Sequence, residues 1–176
     1  MQKAKQRSEI AQQDKWRIED IYATDEAWEA DYNECIRRAQ EKCAYQGRLA
    51  ESAQILYQAL KESDEADLLV EHVYVYAFMK YYEDTANAVY QEMSGRAQAA
   101  VTKLSEKYAF LTPEILAIDE KKMQEYLNSD TLALYRHALE DILVKKDHAL
   151  SEKEERLLAM AGQVTASPNE IFSKFN

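Results

Sequence analysis

Three histidines, two cysteines and 32 acidic residues are the groups of this 176-residue chain that could hold a metal or move a proton. His137 and Asp141 are four residues apart, which on a helix puts both on one face. A catalytic zinc needs more than that pair. It needs two imidazoles one turn apart with a carboxylate base between them, as in H-E-x-x-H, and at least one further ligand. None of the histidines meets that pattern, and His72 has only Tyr76 at the corresponding spacing, so His137 reads as an exposed or capping imidazole. No G-x-S-x-G, phosphate-binding loop, G-x-G-x-x-G or C-x-x-C occurs, and 3 glycines cannot build a phosphate cradle. The sequence therefore presents no catalytic residue and no metal ligand of its own. Cys35 and Cys43 fall eight apart in one expected helix, about 12 Å along its axis, which is too far for a disulfide. They read as small core residues in a reducing, cytoplasmic setting.

The other chemically informative residue is tyrosine, with 12 against 4 phenylalanines. Tyr74, Tyr76, Tyr81 and Tyr82 crowd one stretch. A tyrosine buries a ring while keeping a hydroxyl at a wet margin, so such a group suits the edge of a core, the wall of a cleft or an interface between domains.

The elements that must carry these residues are helical. Gly and Pro together number only 5, far too few for the turns of a sheet protein, while 47% hydrophobic residues can fill a core. The expected fold is all-α, an irregular bundle of antiparallel helical hairpins with about seven to eight helices. Residues 1–15 read as a polar tail, 16–112 as a helical hairpin bundle with an N-terminal strap, and 113–176 as shorter helices leading toward a domain that the sequence lacks. Trp16, Ile18, Ile21 and Tyr22 make the strap. Thr24 starts a first helix running to about Gln46, with Gly47 as its left-handed cap. Ser52 begins a shorter helix that ends in Lys61-Glu62-Ser63-Asp64, a tight hairpin, and a second helix follows to about Tyr82, apolar most of the way round.

A long helix from about Asn87 to Leu111 carries Val89, Met93, Ala97, Val101, Leu104 and Tyr108 at near-heptad spacing, with Gly95 expected at a close backbone crossing. Thr112 with Pro113, Asp119 and Thr131 each start a further helix, the last placing Leu134, Tyr135, Ala138, Leu139, Ile142 and Leu143 inward. Ser151 with Glu154 forms a capping box, and Ser167-Pro168 opens a final helix that breaks off at Asn176, as a cut chain would. No repeat period of helical arrays is present.

Charge narrows the partners. The net charge is −10, and because residues 1–17 carry five cations against Glu9 and Asp14, that stretch is +3 and the remainder −13. An acidic surface repels phosphate backbones, so nucleic acid is excluded as a partner. The basic start lacks the apolar face or run that a membrane helix or signal peptide needs, which argues against a membrane.

In order along the chain, Trp16-x-Ile18-x-Asp20-Ile21-Tyr22, Tyr74-Val75-Tyr76-Ala77, Glu83-Asp84-Thr85, Pro113-Glu114-Ile115, Tyr135-Arg136-x-x-Leu139-Glu140-Asp141 and His148-x-Leu150-Ser151-x-x-x-Glu155 resemble the amino-terminal region of oligoendopeptidase F. The likeness runs from Trp16 to Asn176, departing at Asp147, where the family would have proline before the histidine. It implies a zinc metallopeptidase of the thimet-oligopeptidase type, in which a helical amino-terminal domain and a larger helical catalytic domain face each other across a channel that admits oligopeptides. Zinc, the H-E-x-x-H motif and the later glutamate ligand would all belong to the catalytic domain, and no family ligand maps onto this chain. The resemblance implies that this segment is one wall of the channel, with Tyr74, Tyr81, Tyr82 and Asp84 facing the cleft. Its partners would be the catalytic domain of the same polypeptide and the oligopeptide substrate. Alone, residues 1–176 would hydrolyse no peptide and retain no zinc. The rival expectation is a stand-alone helical module that binds a partner helix or extended peptide without cleaving it.

Overall fold

A computed structural model describes residues 9–144, which fall into two compact units: residues 9–135, and a second unit starting at Arg136, of which 136–144 are described. The fold is all-α, with no strand among the described residues. The first unit carries five α-helices: α1 (Asp25–Gln40), α2 (Ala53–Glu83), α3 (Ala88–Tyr108), α4 (Leu111–Ala117) and α5 (Glu120–Leu127). A 3-10 turn, Asp130–Tyr135, closes it. The second unit shows α6 (Arg136–Val144), along which His137 Nδ1 lies 3.8 Å from Asp141 Oδ1, both side chains exposed. No described helix is long and apolar enough to cross a membrane.

Local chemistry sets the helix starts. The Thr24 hydroxyl accepts from the Ala27 N–H at 3.3 Å, that of Ser52 from Ile55 at 3.2 Å, Asn87 from Val89 at 2.9 Å, and Asp119 from Lys121 at 3.0 Å. Each satisfies an amide that the first helical turn leaves without an intrahelical acceptor. Three long helices then share one core. Asp25 and Trp28 of α1 meet Lys80 and Val73 of α2, while Glu29 and Arg38 meet Arg96 and Lys107 of α3. Hence α1 runs antiparallel to α2 and parallel to α3. Trp28, Cys35, Ala66, Val70, Val73, Ala77, Ala97 and Leu104 fill the space between them.

Several boundaries differ from expectation, each for a physical reason. α1 stops at Gln40, six residues before Gln46. Cys43 is buried as its periodicity required, but in an irregular connection, so it does not share a helix with Cys35; both thiols are free. Gly47 does adopt a left-handed φ of +80°, inside that connection and not as a helix cap, and its N–H donates to Glu114 Oε1 at 2.7 Å. No hairpin forms at 61–64. α2 passes straight through as a 31-residue helix. Ser63 is buried there, and the carboxylates of Glu62 and Asp64 accept hydrogen bonds from Tyr108 and Tyr135, so the polar run is an internal contact surface. From 64 to 82 this helix buries Ala66, Val70, Val73, Tyr76 and Ala77, while Leu68 stays exposed on the side of Glu71 and His72.

Thr112 caps nothing. α4 begins two residues earlier, with Phe110 at the cap position and Leu111 first in the helix, and Pro113 sits in its first turn, where its missing N–H costs no hydrogen bond. The helix expected from Thr131 is the 3-10 turn followed by α6, so Leu132 points inward and Leu134 is 79% exposed. Trp16 is 75% exposed, and the strap is anchored by Ile18 and Tyr22 instead. Val89 is exposed at the start of α3, whereas Met93, Ala97, Leu104 and Tyr108 are buried as spaced. Gly95 lies on an exposed face with no atom within 4 Å of where a Cβ would stand, so no close crossing accounts for it. The capping box at Ser151 and the helix start at Ser167 lie outside the described residues.

Four buried tyrosines donate their hydroxyls to carboxylates: Tyr22 to Asp31 at 2.8 Å, Tyr76 to Asp25 at 2.9 Å, Tyr108 to Glu62 at 2.9 Å and Tyr135 to Asp64 at 2.7 Å. Burial pushes the phenols of Tyr22, Tyr108 and Tyr135 well above their ordinary value of 10.0, and the adjacent carboxylates push the same way. A raised folded-state value stabilises the fold fully below pH 10.0, and that stability is lost as the pH rises through the folded values. Alkaline titration followed by phenolate absorbance should therefore show these tyrosines ionising only together with loss of the helical signal, after the exposed tyrosines have titrated. Ionisation of all twelve on a native helical fold would contradict it. In urea unfolding, Gly47→Ala should cost at least about 1 kcal/mol through its left-handed φ, and Gly95→Ala should gain up to about 1 kcal/mol through helix propensity.

Candidate functional site

The C-terminal half of α2 puts its aromatic residues on two sides. Tyr76 turns inward, meeting Tyr22 edge-on at 5.3 Å between ring centroids. Tyr74, Phe78, Tyr81 and Tyr82 stand on the outer side, where spacings of three and four bring their rings together. Tyr74 stacks on Phe78 at 4.2 Å. Phe78 also meets Tyr81 at 6.3 Å and Tyr82 at 6.2 Å, and these two tyrosines lie 5.2 Å apart. The result is an aromatic ladder with Phe78 at its centre; Tyr82, 72% exposed, is its outer edge.

Of the residues expected to face a cleft, Tyr74, Tyr81 and Tyr82 thus form one surface. Asp84 lies just beyond the helix end, exposed, with its carboxylate turned into the connection, where it accepts from the Ala86 N–H at 3.1 Å. Phe78 was not among the expected site residues, although its spacing to all three tyrosines is the sequence signal that identifies it. A groove of about 460 Å³ adjoins the ladder, with Tyr82 and Met79 on one side and Ile10, Lys15 and Trp16 on the other.

The opposite side of the same helical turns is pinned. Lys80 donates to the Asp25 carboxylate, and its ammonium sits 5.1 Å from the Tyr76 ring centre and 5.3 Å from that of Tyr90. Burial alone would raise the Asp25 value, but hydrogen bonds from Lys80 and Tyr76 outweigh it and bring the carboxyl below its ordinary range. Burial opposes charge on Lys80, yet the same partners hold its ammonium above the usual value. Both groups stay ionised at neutral pH and fix the orientation of the helix that carries the ladder.

Chemically this surface can stack and orient flat or apolar groups. It offers no activated nucleophile and no acid and base pair. Among the described residues no group of three or more His, Cys, Asp and Glu stands close enough to hold a metal ion. No set of described side chains fits the zinc that the family resemblance implies.

A family model described as Oligopeptidase F matches residues 114–176. Oligopeptidase PepF of Bacillus subtilis is 40% identical over 171 residues, which is 97% of this chain and 26% of that protein. The oligoendopeptidase F homolog of Lactococcus lactis subsp. lactis is 39% identical over 178 residues, 98% of this chain and 29% of that one. The crystal structure of oligoendopeptidase-F from Enterococcus faecium matches with a TM-score of 0.70 and 29% identity, over 86% of this chain and 29% of that structure. These matches define a class, the oligopeptidases. The chain is similar along nearly its whole length to proteins of that class named oligoendopeptidase F, and it spans little more than a quarter of the length of the curated relatives it matches.

Removing the ring at the ladder's centre should cost more than removing the one at its edge. Phe78→Ala is expected to lower unfolding stability by about 1–2 kcal/mol through its lost aromatic contacts, and Tyr82→Ala to change it by less than about 0.5 kcal/mol. Equal losses would show that the ladder is not organised around Phe78.

Proposed function

We propose that this chain is the amino-terminal, channel-forming domain of a zinc metallo-oligopeptidase that hydrolyses short peptides, and that the catalytic domain belongs to the same polypeptide. The observation that carries the reading is its similarity to oligoendopeptidase F proteins along nearly the whole chain and over about a quarter of theirs. In this reading the zinc and its ligands lie in the remaining three quarters. The chain's own task is access: Tyr74, Tyr81, Tyr82 and Asp84, with Phe78 between them, face the channel and hold an extended peptide while the width of the channel excludes folded proteins. Free thiols at Cys35 and Cys43 accord with a cytoplasmic location.

The test compares the 176-residue chain with the complete polypeptide its gene encodes, each given a series of oligopeptides and a folded protein. The complete polypeptide should cleave only the oligopeptides and lose activity to a chelator, and the chain alone should cleave nothing. Chelator-sensitive hydrolysis by the purified chain alone would overturn the proposal. So would a gene that ends at codon 176, which would favour a helical peptide-binding module without catalysis.

A further inference from the structure

Aromatic faces carry negative electrostatic potential, and this fold uses them repeatedly as seats for cations. Lys80 lies over Tyr76 and Tyr90, Arg96 over Trp28 and Tyr32, and Lys107 over Tyr108. The described residues place no Lys or Arg over Tyr74, Phe78, Tyr81 or Tyr82. Lys80, on the same turns of α2, is drawn away to Asp25, and its side chain is only 15% exposed. Lys15 lines the adjoining groove but sits over none of the four rings. The ladder also stands at the carbonyl end of a 31-residue helix, where the dipole is negative, and the exposed carboxylate of Asp84 follows one residue later. Ring quadrupoles, helix dipole and carboxylate all have the sign that attracts a cation, and the stacked rings supply apolar area for an aliphatic stem.

We propose that the ladder Tyr74–Phe78–Tyr81–Tyr82, with Asp84 at its end, is a subsite for a basic side chain of the bound peptide. The guanidinium of arginine lies flat on the exposed face of Tyr82, its stem runs along Phe78, and Asp84, whose Oδ1 accepts from the Ala86 N–H, adds a nearby negative charge. Arginine fits better than lysine because its planar, weakly hydrated head stacks on a ring. The inference deepens the channel-wall reading and rests on it, adding the class of side chain that the wall selects.

The test is a calorimetric titration of the 176-residue chain with two capped pentapeptides that differ only at the central residue, arginine in one and its neutral isostere citrulline in the other. The arginine peptide should bind about fivefold more tightly. Tyr82→Ala should abolish that preference, and Tyr82→Phe, which keeps the ring face, should preserve it; Tyr82 is exposed enough for both variants to fold. Phe78→Leu, with its circular dichroism checked, gives a second and independent loss of the preference.

Equal binding of the two peptides, or binding of neither, overturns the inference. A preference that survives both Tyr82→Ala and Phe78→Leu overturns it too. A preference present in the 176-residue chain and absent from the complete polypeptide would mean that the rest of the polypeptide covers the ladder, which also overturns it. The channel-wall reading is judged separately, by hydrolysis of oligopeptides against folded protein; of these results only a covered ladder bears on it, by removing these rings from the channel while leaving the access role of the chain to that assay.

Discussion

A buried phenol must find an acceptor, and much of this fold is arranged around that requirement. Tyr22 to Asp31 ties the strap to α1, and Tyr76 to Asp25 ties α2 to α1. Tyr108 to Glu62 ties α3 to α2, and Tyr135 to Asp64 ties the closing 3-10 turn to α2. Three of the four bonds end on α2, which thereby becomes the member against which the others are set. Part of the excess of tyrosine over phenylalanine follows from this: a phenylalanine at these sites would fill the volume but lose the hydrogen bond that ties its element to the carboxylate.

Cations complete the same scheme. Arg96 lies between the Glu29 carboxylate, at 2.8 Å, and the Tyr32 ring, 4.1 Å from its centre. The Trp28 indole donates to the Val73 carbonyl at 2.8 Å, so one side chain binds α1 to both neighbours. Because the inward tyrosines and cations satisfy one another, the interior side of α2 is closed, and the outward rings are left to serve the surface.

The parts of this arrangement that were legible in the sequence are those set by near neighbours. Thr24, Ser52 and Asp119 start helices because their partners are two or three residues away. The buried positions of α3 follow from its spacing. What escaped the sequence depends on distant residues. Glu62 and Asp64 look like a solvated turn until Tyr108 and Tyr135, 46 and 71 residues further on, are seen to donate to them. Cys43 shows that a buried position in phase with a helix need not be helical, since periodicity reports the face and not the backbone. In the candidate site the three tyrosines were legible from their crowding, whereas the central place of Phe78 appears only once ring contacts are measured.

The unbroken course of α2 has a mechanical meaning. From Asp64 to Tyr82 the helix advances about 27 Å, at about 1.5 Å per residue, with no proline or glycine along the way to absorb a bend. Such a rod acts as a lever. An angular change of about 5° at one end, left uncorrected at the other, would carry the far end by about 2 Å, roughly half the spacing of two stacked rings. Because Lys80 and Tyr76 also hold the ladder end to Asp25, the placement of the aromatic ladder is set jointly by that carboxylate beside it and by Glu62 and Asp64 about five helical turns away.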